Sequence, residues 1–286
     1  IMDIQTLINK SYYGTQGYIT NLEDLNTLES YINHNLPIIN EYKNVIVATN
    51  FSSYDEGLQE SNTELWHKYF PSAIILDSSV NRGHNHGYCD LENLLVEYCI
   101  DNDIEWLCKS HNDTLLTEDI WDLSIPNEEV DCYYTLGFNK ETIQRLYEFN
   151  TSKMEKDWFY IQSSFYFINT SKITFWHDKE YLNKTYQQIQ NIENYNGKIW
   201  EYIWEFQCEL LTAACVKRNN LSKHYLFTGE LYNTLCNYIL NNNINDPSHK
   251  NISIQGICHL HSPNHPAIKI TKNPNISPII KGRFES

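Results

Sequence analysis

Three short apolar runs, each separated from the next by a helix-length stretch, constrain this chain more than any other feature. Asn44–Thr49 reads NVIVAT, Ala73–Leu76 reads AIIL and Ile104–Cys108 reads IEWLC. Runs of this length without polar alternation signal strands buried on both faces. Between the first two, Asn62–Phe70 has helical character and stops at Pro71. Between the second and third, Asp90–Ile100 places Leu91, Leu94, Leu95 and Tyr98 at helical spacing, with Asp90 as N-cap. Strand, helix, strand, helix, strand implies an α/β fold with a parallel sheet covered by helices. Ligands of such sheets collect beyond the carboxyl ends of the strands.

An amphipathic helix over Thr20–Asn33, closed by Pro37, precedes the first run. Downstream, Asp131–Gly137 and Tyr160–Asn169 read as later strands, and Lys198–Lys217 as the longest helix. Past about Asn241 the sequence turns irregular, with Asn, Pro and His in short loops. Neither an internal repeat nor a Gly/Ser- or Pro-rich linker divides the chain, so residues 1–286 are expected to form one domain.

Charge narrows the choice of partner. Lys and Arg number 21 against 36 Asp and Glu, a formal balance of −15. Such a surface repels a phosphate backbone unless a basic patch intervenes, and the sequence has no Lys/Arg cluster. A nucleic acid polymer is therefore disfavoured. A small anion held through a divalent cation is not, because carboxylates are what the cation needs. The eight cysteines show no C-x-x-C spacing, and Cys99 and Cys215 sit inside apolar runs. Reduced cysteines in a cytoplasmic protein are expected. No run reaches transmembrane length, so no transmembrane segment is expected.

Three strand ends carry candidate chemistry. Thr49 and Asn50 follow NVIVAT and offer small polar groups to a base or ribose. Asp77 and Ser78 follow AIIL, where a carboxylate can accept hydrogen bonds from the same groups. A polar residue after a strand is also the ordinary chemistry of a turn. The third segment is richer: Lys109, Ser110, His111, Asn112, Asp113 and Thr114. A carboxylate beside an imidazole at a strand mouth can hold Mg²⁺ or Mn²⁺ on a diphosphate, whose oxygens complete the shell. The plain alternative is an Asx turn leading into a helix around Glu118–Leu123. Between these strands, NRGHNHGY (Asn81–Tyr88) supplies Arg82 for phosphate charge and Gly83 for close backbone approach.

NVIVATN, LDSS, NRGHNHGY and HNDTLL, in this order and spacing, resemble the family-two glycosyltransferases of the GT-A fold, particularly rhamnosyltransferase-like members. There a VIV-type first strand precedes an Asp-ended second strand, an N-x-G segment opening a helix, and a strand ending in N-N-D-T. The resemblance covers roughly Asn44 to Leu123. It implies a Rossmann-type, mostly parallel sheet with a nucleotide-binding half over about 44–125 and an acceptor half with a C-terminal helical or loop extension over about 126–286. The donor is then a nucleotide sugar (UDP, GDP or dTDP type) and the acceptor a glycan. Asp77 contacts the base, Arg82 and Gly83 lie beside the nucleotide, and Asp113 ligates Mn²⁺ or Mg²⁺. His111 stands in place of the first carboxylate of the usual D-x-D triplet. Members of the fold also place a C-terminal histidine on the metal, here His259 or His261. That CHLHSPNH segment reads equally as a zinc site or a His-rich surface loop.

An inverting transferase needs a carboxylate to deprotonate the acceptor hydroxyl. Glu201, Glu205 and Glu209 recur at i, i+4 and i+8, on one face of the Lys198–Lys217 helix, as a solvated acidic face also would. Glu205 is the first candidate and Asp157 the second. Three other functions compete: nucleotidyl transfer on a related fold, carbohydrate binding without turnover, and zinc hydrolysis at HLHSPNH.

Overall fold

The computed structural model describes residues 3–17, 19–50, 56–78, 81–123, 125, 130–135, 137–139, 159–161, 164–191, 208–226, 252–254, 256–259, 266–270 and 277–281. The strands in chain order begin with β1 (Tyr12–Gln16), β2 (Val45–Thr49), β3 (Ile74–Asp77), β4 (Trp106–His111), β5 (Thr114–Leu116), β6 (Cys132–Tyr134) and β7 (Gly137–Asn139). They continue with β8 (Phe159–Ile161), β9 (Phe165–Asn169), β10 (Lys223–Tyr225), β11 (Ile252–Ile254), β12 (Ile257–His259), β13 (Pro266–Ile270) and β14 (Ser277–Lys281). The helices are α1 (Ile4–Lys10), α2 (Leu22–Ile39), α3 (Glu56–Tyr69), α4 (His84–Asp101), α5 (Lys179–Gln190) and α6 (Cys208–Arg218).

Seven strands form the main sheet, in the order β3-β2-β1-β4-β9-β6-β10. β3, β2, β1 and β4 run parallel, β9 is antiparallel to both β4 and β6, and β10 is parallel to β6. A single reversed strand therefore interrupts an otherwise parallel sheet. The expected α/β class is present. Alternation along β2 divides the core into two layers. Val45 and Val47 pack with Leu28, Tyr31 and Ile32 of α2 and Trp66 of α3. Ile46 and Ala48 face the other way, onto Leu91, Leu95 and Val96 of α4 and Cys215 and Val216 of α6. The chain thus grows outward from β1 to β3 and then crosses back to place β4 on the other side of β1. The carboxyl ends of β1 and β4 flank this switch point, where open α/β sheets bind ligands.

Several boundaries differ from expectation. A strand, β1, precedes NVIVAT, so that run is the second strand in chain order rather than the first. AIIL forms the sheet edge: β3 is half-buried and Asp77 is exposed. β4 continues through Lys109 and Ser110 to His111, because both sides of it are paired as far as Ser110. α4 starts at His84, with Gly83 as N-cap at φ 77°. Asp90 therefore lies inside the helix and is not its cap. α2 begins two residues later than expected, at Leu22, with the Asn21 side chain as N-cap accepting from the Asp24 N–H, and runs through Pro37 to Ile39. Pro37 removes one helical N–H, and burial of Ile38 and Ile39 keeps the last turn in place. The expected strand over Tyr160–Asn169 is two strands, β8 and β9. Of the long helix, Cys208–Arg218 is helical, and its earlier residues lie outside those described.

The C-terminal region is not only loops. β11 to β14 form a second sheet with β5, in the order β14-β13-β11-β12-β5. Asn112 and Asp113 are the turn that joins β4 of one sheet to β5 of the other. Gly256, at φ 86°, permits the close approach at the other end of β5, past Leu116. A Cβ there would meet Ile120 N at 2.2 Å, while the Gly256 carbonyl accepts from Thr117 N at 2.8 Å. Cys89, Cys99, Cys108, Cys132, Cys208, Cys215 and Cys258 are free and buried, as expected of small apolar side chains. No helix among the described residues is long and apolar enough to cross a membrane.

Candidate functional site at the carboxyl ends of β1, β2 and β4

β4 delivers His111, Asn112 and Asp113 to the switch point, and the His111 Nδ1 lies 3.6 Å from Asp113 Oδ1. Both side chains are about one-fifth exposed, at 22% and 19%, so the pair faces a partly solvated crevice. β5 fixes the far side of this turn. Its Thr114 hydroxyl donates to Ser164 O at 3.2 Å, and Asn35 of α2 brackets it, donating to Thr114 O at 2.9 Å and accepting from Leu116 N at 2.7 Å. Pairing of β5 with β12 sets His259 directly opposite Thr114. Opposed residues of antiparallel strands lie about 5 Å apart, so the C-terminal segment reaches the position next to Asp113. The side chain of His259, and all of His261, lie outside the described residues.

Among the described residues no three His, Cys, Asp or Glu side chains converge as a metal cage. His111 and Asp113 supply two donors of suitable type. That donor set fits a hard divalent ion which takes one or two protein ligands and completes its shell with phosphate oxygens and water.

Beside this turn a cavity runs between α2, α3 and the ends of β1 and β2, lined by Thr15, Gly17, Thr49, Asn62, Trp66 and Asn112. Ile19, Leu28 and Val47 complete the wall, and the surface that faces the open space is apolar; the polar atoms of the lining side chains lie within the wall. Thr15 Oγ1, both amide atoms of Asn62 and Trp66 Nε1 are buried without a hydrogen-bond partner among the described residues, as are the neighbouring Asn50 Oδ1 and Gln16 Oε1. Each such group costs about 1–3 kcal/mol when left unpaired, so a cluster of them marks a place where a ligand or water belongs. Thr15, Asn62 and Trp66 are not among the residues anticipated from strand ends. Asn62 did leave a signal: it lies four residues before Trp66 and three before Leu65, a polar residue on the inward stripe of a helix.

The other predicted residues are distributed unevenly. Thr49 is buried, and its hydroxyl donates to Leu76 O at 3.3 Å. Asn50 is buried beside it. Asp77 and Ser78 end β3, three strands from β4, which at ordinary strand spacing is about 14 Å away. They are not brought to the His111–Asp113 turn. Arg82 folds back onto α4: its Nε donates to Asp90 Oδ2 at 2.8 Å and Nη1 to Asn183 Oδ1 at 2.6 Å. Its guanidinium also stacks on Tyr186, 5.6 Å from the ring centroid. Gly83 caps α4 in the left-handed region with open space about it. Asn112 lines the cavity. Glu205 and Asp157 lie outside the described residues; Glu209 opens α6.

Lys109 lies beneath the site, fully buried, with its ammonium donating to the Tyr88 hydroxyl. Burial draws its pKa down to about 8, although Glu92, Glu209 and Asp113 act in the opposite direction. It belongs to a buried network centred on Glu92. That carboxylate accepts from Trp176 Nε1 at 2.8 Å, Tyr88 at 3.1 Å and Thr212 at 3.0 Å, and from Tyr166 and His177. Burial works to raise the Glu92 pKa, but His177, Lys109 and Tyr166 outweigh it and hold the carboxyl at about 2. For His177, burial opposes the charge, yet contacts with Cys215, Cys89 and Glu92 keep it well above the ordinary histidine range. Nothing in the sequence distinguishes Glu92 from any other helical glutamate.

Fold and site together define a mostly parallel α/β protein with a polar crevice at its switch point. No family model matches the sequence, and no curated protein matches it. Among solved structures, the chain is similar to core-mannan synthase A from Aspergillus fumigatus in its Mn/GDP form. There the identity is 8% and the TM-score 0.43, over 76% of this chain and 72% of that one. It is also similar to the galactosyltransferase LgtC with donor and acceptor sugar analogues, at 9% identity and a TM-score of 0.41, over 75% and 72%. The inositol-1-phosphate CTP transferase from T. maritima aligns at 9% and 0.40, over 76% and 86%. These likenesses span sugar and nucleotidyl transfer alike. The fold assignment rests on the strand order itself.

Proposed function

We propose that this protein transfers a sugar from a nucleotide-diphosphate donor to a glycan acceptor. One observation carries the reading. The buried, unpartnered groups of Thr15, Asn50, Asn62 and Trp66 adjoin the His111–Asp113 pair at the switch point of a parallel sheet. The cavity is small, about 10 Å³, room for about one water molecule. These groups are covered in the ligand-free chain, so a base or ribose seated on the Gly17–Asn112 side reaches them by a shift of the cavity wall rather than by filling the cavity. The diphosphate then lies toward the β4–β5 turn. There His111 and Asp113, with His259 of β12 or His261 two residues further along the chain, would hold Mn²⁺ or Mg²⁺. When bound, the ion neutralises the departing diphosphate as a Lewis acid.

The chain's own residues do the rest. Asn112 and the backbone around Gly17 orient the donor. A carboxylate, Glu205 on the segment leading into α6 first and Asp157 just ahead of β8 second, takes the proton of the acceptor hydroxyl on the opposite face, giving inversion. Nucleotidyl transfer fits less well. The segment that follows β1, Gly17 to Asn21, contains no Lys or Arg to cradle a triphosphate.

The test is a panel of nucleotides and nucleotide sugars scored by thermal shift, with and without Mn²⁺. A ligand at about 100 times its Kd stabilises by about 2.7 kcal/mol through mass action. A metal-dependent rise with one class of nucleoside diphosphate is expected. In Asp113→Asn the metal-dependent part disappears and turnover falls by about 100-fold or more, whereas Glu205→Gln keeps the rise and loses transfer. No rise with any member of the panel overturns the reading.

A further inference from the structure

Tyr88 touches more of the machinery around the site than any strand-end residue does. It lies on α4, where its ring meets the His111 imidazole with centroids 5.2 Å apart and planes inclined at 54°. Tilted aromatic pairs in this distance range are favourable. The opposite end of the ring is fixed. The phenol oxygen accepts from the Lys109 ammonium and donates to Glu92 Oε1 at 3.1 Å, and Glu92 is itself held by four further donors. Lys109 and His111 are two residues apart on β4, so they share one face of the strand. Tyr88 thus spans the gap between them. Its remaining surface packs on Cys208 and Leu211 of α6, the helix that Glu205, the first candidate base, precedes in the chain.

We propose that Tyr88 is a positioning residue that aims the His111 imidazole at Asp113. A ring anchored at its hydroxyl by a buried cation and a buried carboxylate has one orientation open to it. An imidazole packed on that ring loses rotational freedom about its last torsion. The inference rests on the transferase reading only for its purpose; the positioning itself exists without metal or nucleotide.

The experiment uses the full chain with ¹³C/¹⁵N-labelled histidine, the His111 Cε1–H resonance being assigned by its loss in His111→Gln. Tyr88→Leu removes the ring and is expected to move and broaden this resonance. Tyr88→Phe keeps the ring without its anchor, and Glu92→Gln weakens the anchor at the other end. Both are expected to broaden the resonance with little shift, and they decide the matter if the leucine variant does not fold. A second readout is Mn²⁺ affinity in the presence of a nucleoside diphosphate. Loss of the support behind a metal ligand costs about 10–100-fold in affinity, so Tyr88→Leu is expected to fall in that range and Tyr88→Phe to recover most of it. In a His111→Gln background neither change has a further effect. An unchanged His111 resonance in the variants overturns the proposal, as does an equal affinity loss in that background. Absence of Mn²⁺ binding in the wild type counts against the transferase reading, and the resonance alone then decides the role of Tyr88.

Discussion

Glu92 and His177 form an ion pair with side chains 0% and 2% exposed, and at this depth the sign of every effect is set by desolvation. Removing one partner of such a pair leaves an uncompensated charge and costs about 3–5 kcal/mol. Glu92→Gln, which keeps the shape, is expected to lose stability on that scale in urea unfolding at mildly acidic pH. The pH dependence follows from the two shifts. Glu92 goes from an ordinary 4.5 to about 2 in the fold, so its contribution is complete above 4.5 and is lost as pH falls toward 2. His177 is raised above its ordinary 6.5, so its contribution is complete below 6.5 and declines as pH rises through the folded value. The gap between wild type and Glu92→Gln should therefore be widest between about pH 4.5 and 6.5. A gap independent of pH from about 3 to about 8.5 contradicts this account. The same burial leaves Lys109, Tyr88 and Glu92 serving one another instead of solvent, which is how a charged residue at the end of a site strand is spent on orientation.

At the scale of elements, the turn that carries Asp113 depends on what holds β5. That strand pairs with β12 on one side. On the other its backbone meets no strand among the described residues, and the side chain of Asn35 takes that place with one donor and one acceptor. Asn35 is fully buried. Asn35→Leu leaves a carbonyl and an N–H unpaired, at about 1–3 kcal/mol each. The expected outcome is a loss of about 2–5 kcal/mol, with faster hydrogen exchange at Leu116 N than at β2 amides. Retained protection at Leu116 means that another group supports the strand. The helices follow the same logic. Arg82, on the loop into α4, is held by Asp90 and Asn183; it ties that loop to α4 and α5 and offers little to a phosphate.

For the whole molecule the dominant number is the charge of −15. Like charges in excess repel one another and oppose compaction. The opposing contribution comes from exposed ion pairs such as Lys68–Glu29 and Lys179–Glu97, which solvent and side-chain entropy leave weak. Repulsion wins on this comparison. The melting temperature is expected to rise as NaCl increases from about 0.01 M to about 0.3 M, over which the screening length shortens several-fold. A fall over the same range means that the surface pairs carry more of the stability than their exposure suggests.

The sequence by itself determined the α/β class, the β2–β3–β4 succession, a polar-capped helix ahead of β2 and the buried, apolar surroundings of the cysteines. It could do so because burial on both faces, capping and apolar Cys environments are written in adjacent residues. It also singled out the Asn112–Asp113 turn. Only the tertiary structure revealed β1, whose YYGTQ mixes aromatics with polar residues and Gly, and which is a strand because β2 and β4 pair with it on both sides. With β1 in place, the resemblance of NVIVAT to a first strand shifts by one. Asp77 thereby falls on the edge, and Thr15, Asn62 and Trp66 emerge as the polar lining. The reversed β9, the second sheet that brings His259 opposite Thr114, and the Lys109–Tyr88–Glu92 link are likewise products of long-range pairing. Local propensity and hydrophobic period report which side of an element is buried. They do not report against what, and in this protein the partner decides which polar residues reach the site.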